Sequence, residues 1–391
     1  MNPLIETTDL VTQFYTYEGV VKALNRVSLV VDRGMTYGLV GESGCGKSVT
    51  VRSMMRIVQA PGRIESGKVI LFADDAAAAG IDLLKLPETQ MRALRGDQIS
   101  MIFQEPNAAL NPIMNIGDQV AESFLFHQQK QLAQAVLDQL NHASGHGRHR
   151  LLRRLYAHAA QDPQALLLRV LNQLPLACRW RHRMKAEAIA RAIDIIGRLG
   201  ISNPEEIVRR YPHNLSGGMK QRIVIAMALA CNPILLIADE ATSNLDVTIQ
   251  AQILELLKML KQETISSILL ITHDLGVVAE TCDRVGVMYA GNLCEHADVR
   301  DLFRRPLHPY TRALLAAVPR LKQRGPLKSI EGAVPNLVDP PKGCRFHPRC
   351  PLARACCREH FPEMCAVGDN HYVACFEYTD QPRSPAEMEA R

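Results

Sequence analysis

An α/β fold, in which short apolar strands deliver their loops to one crevice, is predicted by three observations on the 391-residue chain. Thr36-Tyr37-Gly38-Leu39-Val40 reads as a buried strand. It runs into Gly41-Glu42-Ser43-Gly44-Cys45-Gly46-Lys47-Ser48 and then a helix over Val49 to Ile57. Two further apolar runs, Ile234 to Ala238 and Ser267 to Thr272, end on Asp239-Glu240 and His273-Asp274. Ahead of these, Ile5 to Val31 alternates apolar and polar residues, the pattern of an antiparallel β layer.

The glycine-rich stretch fits G-x-x-x-x-G-K-[ST] at every fixed position, between a strand and a helix as the mechanism requires. Glycines let the backbone N–H groups of such a loop converge on phosphates, and the helix N-terminus adds partial positive charge. Lys47 supplies a point charge to the terminal phosphates, and the Ser48 hydroxyl is placed for Mg²⁺. A nucleoside triphosphate is the expected ligand. Within the preceding β layer Tyr17 is the candidate to stack on an adenine ring, the alternative being a strand tyrosine packed on the sheet. Cys45 lies near Lys47 and a helix start, which predicts a stabilised thiolate that alkylation would reach and ATP would protect.

Composition bounds the rest. A chain this long accommodates two or three domains. With 47% hydrophobic and 22% charged residues the mixture is globular, and the net charge of +5 does not indicate a nucleic-acid binder. No apolar run is long enough to span a bilayer. The opening Met1-Asn2-Pro3-Leu4-Ile5-Glu6 lacks a basic region followed by an apolar one, so a cytoplasmic location is expected. The chain holds 11 cysteines, several crowded near its end, and in a reducing compartment metal ligation is the leading explanation for that crowd.

Further along, Gly67 to Phe72 reads as a strand and Asp74 to Gly80 as an alanine-rich connector. Ile99 to Phe103 reads as a strand delivering Gln104. Phe124 to about Lys185 reads as inserted helices, broken at Gly145-His146-Gly147 and restarted at Asp162-Pro163. Arg148, Arg150, Arg153, Arg154 and the run Arg179-Trp180-Arg181-His182-Arg183 make that region basic. A solvated helical hairpin is favoured over a face lying on lipid headgroups. Asn214-Leu215-Ser216-Gly217-Gly218 then opens an apolar helix over Ile223 to Ala230, an anion-binding arrangement of hydroxyl and free N–H groups. Asp239 suits a Mg²⁺ shell and Glu240 an attacking water. Thr248 to Leu260 reads as a helix with one buried face, and His273 ends the next core strand.

With Lys47, Gln104, Leu215-Ser216-Gly217-Gly218, Asp239-Glu240 and His273 in this order, residues 4 to 300 resemble the ATP-binding subunits of ABC transporters. Ser243-Asn244-Leu245-Asp246 matches the family's D-loop, while Ala241 stands where proline is usual. Gly41-Glu42-Ser43-Gly44, Phe103-Gln104-Glu105-Pro106 with Leu110-Asn111-Pro112, His308 to Leu315, and Gly343 to Pro351 narrow the resemblance. They are similar to the ATPases of oligopeptide, dipeptide and nickel importers, out to about residue 378. The resemblance implies an α/β phosphate-loop ATPase core with an antiparallel β layer, a helical subdomain and a small Cys-rich C-terminal appendage. Residues 1–300 would form the ATPase domain, with the helical subdomain over about 105–230 and its insertion over about 124–185. Residues 301–378 would form the extension and 379–391 a tail.

For the site, the resemblance implies ATP on Tyr17, Gly41, Ser43, Gly44, Cys45, Gly46, Lys47, Ser48 and Val49. It adds Gln104, Asp239 and the Ser216-Gly217-Gly218 stretch to the nucleotide contacts. Mg²⁺ would be held by Ser48, Gln104 and Asp239, with Glu240 activating water, His273 holding water and γ-phosphate, and Gln104 reporting the nucleotide state. Implied partners are a second ATPase (a copy or a paralogue), two integral permeases and a solute-binding protein outside the membrane, with no nucleic acid. The chain would sit on the cytoplasmic face of the inner membrane, powering uptake of peptides or a similar solute. Alternatives are a soluble ABC ATPase of DNA repair or translation, or an exporter ATPase. Cys344, Cys350, Cys357 and Cys375 match the importers' cysteine pattern, which is associated with a 4Fe–4S cluster. Cys356 and Cys365 have no counterpart there, and zinc is the alternative metal because four thiolates suit either.

Overall fold

The computed structural model describes residues 2–73, 80–142, 150–162, 165, 180–241, 246–263, 267–318 and 330–379. Contacts divide the chain into two units, Met1–Met91 with Ile234–Glu240 and Leu260–Arg391, and Arg92–Pro233 with Ala241–Met259. The strands in chain order are β1 (Pro3–Thr16), β2 (Gly19–Asp32), β3 (Thr36–Val40), β4 (Gly62–Leu71), β5 (Ile81–Asp82) and β6 (Ile99–Ile102). They continue with β7 (Leu235–Asp239), β8 (Ser267–Ile271), β9 (Arg284–Tyr289), β10 (Asn292–Asp298), β11 (Cys365–Gly368) and β12 (His371–Val373).

In the first unit, β2, β1, β4 and β5 form the antiparallel layer in that order. β4 runs past the Gly67–Phe72 expectation because β1 pairs with it as far as Phe14 opposite Gly62. The larger sheet of this unit runs β11-β12-β10-β9-β3-β8-β7. Strands β9, β3, β8 and β7 are parallel. Every residue of β3, β7 and β8 is buried, which explains why these strands read as continuous apolar runs rather than alternation. Leu39, Ile237, Leu269 and Val285 are inaccessible to solvent.

The C-terminal stretch adds two strands to the larger sheet. β12 pairs antiparallel with β10, extending the sheet, and β11 pairs with β12. Phe346, Val373, Ala374 and Phe376 are buried. Phe346 packs on Tyr289 and Tyr310 with ring centroids 5.1 and 5.4 Å apart. Its core is therefore shared with β9 and the helix Pro309–Ala316 rather than self-made.

Among its described residues the second unit is helical apart from β6. Its helices include Ile116–His127, Gln129–His142, Arg150–Gln161, Arg181–Arg198 and Gly217–Leu229. Asn115 caps the first of these by accepting from the Asp118 N–H at 2.7 Å. The expected breaks at Gly145-His146-Gly147 and Pro163, with Arg148 and Arg179, lie outside the described residues. Trp180 is buried against Tyr156, whose hydroxyl donates to the Trp180 carbonyl. That burial removes the indole from any headgroup layer, so the lipid alternative loses its anchor.

Candidate active site

The three parallel strands β3, β8 and β7 are adjacent, so their carboxyl ends open on one side of the sheet. The Gly41–Ser48 loop follows β3, His273 follows β8, and Asp239 ends β7 with Glu240 next. This is the crevice at which open α/β sheets bind ligands. Gly46 caps the helix Lys47–Met54 with φ 104°. A Cβ there would lie 2.9 Å from the Ala23 carbonyl oxygen, so both conformation and space require glycine. Ser43 and Gly44 are exposed at the loop tip, and Ser48 and Val49 are half-buried. Lys47 is buried, its Nζ donating to the carbonyls of Gly41 at 2.8 Å and Glu42 at 3.1 Å. The ammonium thus rests on the loop's own backbone, within the cradle that phosphates would enter.

Ser48 Oγ donates to Asp239 Oδ1 at 2.7 Å. Asp239 is fully buried, and Arg52 approaches its other oxygen to 3.9 Å. Burial pushes the Asp239 carboxyl up, against the Ser48 hydrogen bond and the Arg52 charge. Its Oδ2 has no hydrogen-bond partner among the described residues. A buried carboxylate oxygen left this way, beside a hydroxyl, is the donor set a hard cation such as Mg²⁺ takes. Glu240 adopts φ 47° and its N–H donates to Ile271 O at 3.0 Å, turning the chain sharply out of β7. Its Oε1 lies 3.6 Å from Nδ1 of the exposed His273. The structure therefore brings Lys47, Ser48, Asp239, Glu240 and His273 to one crevice.

Two expectations need correction. Cys45 is 1% exposed, and burial pushes its thiol up, outweighing the nearby Lys47 charge. It is a buried thiol, not an activated one. Tyr17 stands fully exposed in the turn between β1 and β2, so it does not pack on the sheet as the alternative for it held.

In the second unit Ser216 caps the helix Gly217–Leu229, its Oγ accepting from the Met219 N–H at 3.4 Å. A Cβ on Gly218 would meet Ile249 at 3.1 Å, whereas one on Gly217 would meet nothing among the described residues within 4 Å. Gln104, Asn107, Gly217 and Lys220 line a cleft of about 290 Å³, where Lys220 Nζ donates to Asn107 Oδ1 at 2.9 Å. Ser243-Asn244-Leu245 lie outside the described residues, while Asp246 Oδ1 accepts from the Ile249 N–H at 3.0 Å. Ala241 is buried.

Cys344, Cys350, Cys357 and Cys375 line one cavity of about 130 Å³ with Phe346 and His347, and Cys356 and Cys365 are not among its lining residues. Burial pushes the Cys344 thiol up to about 12 and Cys375 to about 11. Among the described residues no three His, Cys, Asp or Glu side chains are drawn together closely enough to hold a metal ion. The four thiols fit a soft metal by donor chemistry and by sharing a cavity, but they are not gathered as ligands.

Sequence reasoning passed over Glu42, Tyr310 and Arg349. Arg349 donates to both carboxylate oxygens of Glu42, at 2.8 and 3.2 Å, and the Glu42 N–H donates to Tyr310 Oη at 2.9 Å. The signal available was an acid inside an anion-binding loop, which demands a cation from elsewhere.

Residues 24–243 match the family model described as ABC transporter, and residues 294–357 match the one described as oligopeptide/dipeptide transporter, C-terminal region. The chain is 41% identical over 375 residues to the probable peptide ABC transporter ATP-binding protein y4tR of Sinorhizobium fredii, covering 95% of this chain and 94% of that one. It is 40% identical over 383 residues to the oligopeptide transport ATP-binding protein AppD of Bacillus subtilis, covering 97% and 98%. Among solved structures, the ADP- and Pi-bound dimer of the ATP-binding cassette MJ0796 is similar with a TM-score of 0.53 at 22% identity. That likeness covers 76% of this chain and 99% of that chain, and carries the fold alone. Phosphate loop, parallel strands and relatedness along nearly the whole chain converge: the chain belongs to the ABC transporter family, as an ATP-binding, ATP-hydrolysing subunit with the oligopeptide/dipeptide transporter type of C-terminal region.

Proposed function

We propose that this subunit powers uptake of peptides or chemically similar small solutes, working as a pair with a second ATPase on two membrane permeases fed by a solute-binding protein. The observation that carries the reading is the C-terminal region matched over residues 294–357, joined to an ATPase core by relatives named for peptide transport. No described helix is long and apolar enough to cross a membrane. As a relative of transporter ATP-binding subunits, the chain would lie on the cytoplasmic face. Residues 1–300 act as the ATPase domain and 301–378 as the transporter-type extension.

In this reading the Gly41–Ser48 backbone and Val49 cradle the phosphates, and Lys47 leaves the Gly41 and Glu42 carbonyls to meet them. Ser48 and Asp239 would hold Mg²⁺, with Gln104 as the further ligand that the family resemblance implies. The ion, when bound, neutralises charge on the β- and γ-phosphates. Glu240 accepts a proton from the attacking water, and His273, 3.6 Å away, orients that water. Tyr17 offers a ring to adenine, and Ser216, Gly217 and Gly218 of one chain complete the partner's site. Gly217 supports this last assignment, because no described residue lies within 4 Å of where a Cβ would stand. Replacing Glu240 by Gln should leave ATP binding intact, lower turnover by about 10²-fold or more, and trap an ATP-bound dimer visible by sedimentation. Wild-type turnover in that variant would remove Glu240 from the role of base.

For the four cavity cysteines we propose a 4Fe–4S cluster, with zinc as the second reading. Support comes from the donor set and its shared cavity. Purified without oxygen, the protein should be brown and hold about four irons with matching sulfide. Stoichiometric zinc in a colourless protein would select the second reading, and absence of both metals would end both.

A further inference from the structure

Glu42 places a carboxylate inside a loop built to receive anions, where like charges repel. The balancing charge comes from 307 positions further along the chain. Arg349 meets the carboxylate with both ends of its fork, at 2.8 and 3.2 Å, and its side chain is 5% exposed. The guanidinium is itself locked, donating to Glu331 O at 2.9 Å and Ile330 O at 3.2 Å. The Glu42 backbone is fixed on both sides. Its N–H donates to Tyr310 Oη at 2.9 Å, and its carbonyl accepts from Lys47 Nζ at 3.1 Å. A chain of directional contacts thus runs from Arg349 through Glu42 to the lysine of the phosphate loop. Arg349 closes the turn His347–Arg349, which follows directly on the buried Phe346.

We propose that Arg349 is a positioning residue for nucleotide binding. It cancels the Glu42 charge and holds the second residue of the loop, so the C-terminal region sets the affinity of the phosphate site. This rests on Gly41–Ser48 being the phosphate site for ATP. A planar fork that meets both oxygens of one carboxylate fixes geometry as well as charge, which a lysine cannot reproduce.

Binding of a fluorescent ATP analogue to the full chain tests it, at low and high salt. Lys47→Ala separates the two levels: unchanged binding in that variant would remove the phosphate-site reading itself. With that reading intact, Arg349→Gln should weaken binding about tenfold, more at low salt than at high salt. Adding Glu42→Gln to Arg349→Gln should restore affinity to within about threefold of wild type, because the stranded anion is gone while the fork is still missing. A purely structural arginine would not be rescued this way. Wild-type affinity in Arg349→Gln, or no rescue in the double variant, overturns the proposal. Should melting curves show that Arg349→Gln does not fold, Arg349→Lys carries the test. Its affinity should fall about threefold, since one ammonium cannot hold both oxygens, and equality with wild type overturns the proposal.

Discussion

Cys45 has the Lys47 ammonium 3.8 Å away and lies just ahead of the helix Lys47–Met54, both of which favour a thiolate. Burial nevertheless wins, and the thiol is held protonated above its ordinary value. Iodoacetamide at pH 8 should therefore label Cys45 at least about tenfold more slowly in the folded chain than in urea, read by peptide mass spectrometry. Equal rates would return the residue to the reactive class. The motif fixes which residues neighbour Cys45 along the chain, but not the burial that decides its chemistry. The Arg349–Glu42 pair escaped sequence reading for a related reason, since nothing local links positions so far apart. Asp239, Glu240 and His273 were legible because each stands at the end of an apolar run, and Lys47 and Ser48 because the glycine motif after such a run names them; parallel pairing of those runs gathers their ends.

Among the elements, β10 couples the parallel strands to the C-terminal hairpin, and His296 on it is central to that joint. Its ring lies between Tyr37 and Tyr372, and its Nδ1 is 3.2 Å from Tyr37 Oη. Burial lowers its pKa to about 4, with Arg284 adding to the shift and Asp298 opposing it. The folded value lies below the unfolded one of about 6.5, so the ring contributes stability in full above that pH. The contribution declines as pH falls from about 6.5 and is gone by about 4, a loss of roughly 2 kcal/mol allowing for partial exposure. Urea unfolding of His296→Gln should vary less between pH 7 and 5 than that of wild type; an unchanged slope would assign the titration to another group. The antiparallel layer was legible from alternation, whereas β11 and β12 were not. Strands of four and three residues carry too little pattern, and β10, the partner of β12, lies some 75 positions earlier.

For the whole molecule, the two-chain reading makes a demand that one chain cannot satisfy. Among the described residues nothing stands within 4 Å of a Cβ placed on Gly217, and its φ is not among the positive ones. Gly217→Ala should leave urea stability within about 0.5 kcal/mol or raise it slightly, since alanine suits a helix better. ATP turnover should fall about tenfold or more, a cost of at least 1.4 kcal/mol at the shared site. Unchanged turnover would mean that no partner approaches that glycine closely.

The pairing of β12 on β10 has a consequence for solubility. β10 has β9 on one flank and β12 on the other, so among the described residues the four-residue β11 forms the outer edge on that side of the sheet. A chain cut before Cys365 would bare the row of N–H and C=O groups on β10, an invitation to edge-to-edge pairing with other copies. The last strands thus act as an edge guard, and proteolytic trimming of this region would lead to aggregation before it changed the ATPase chemistry.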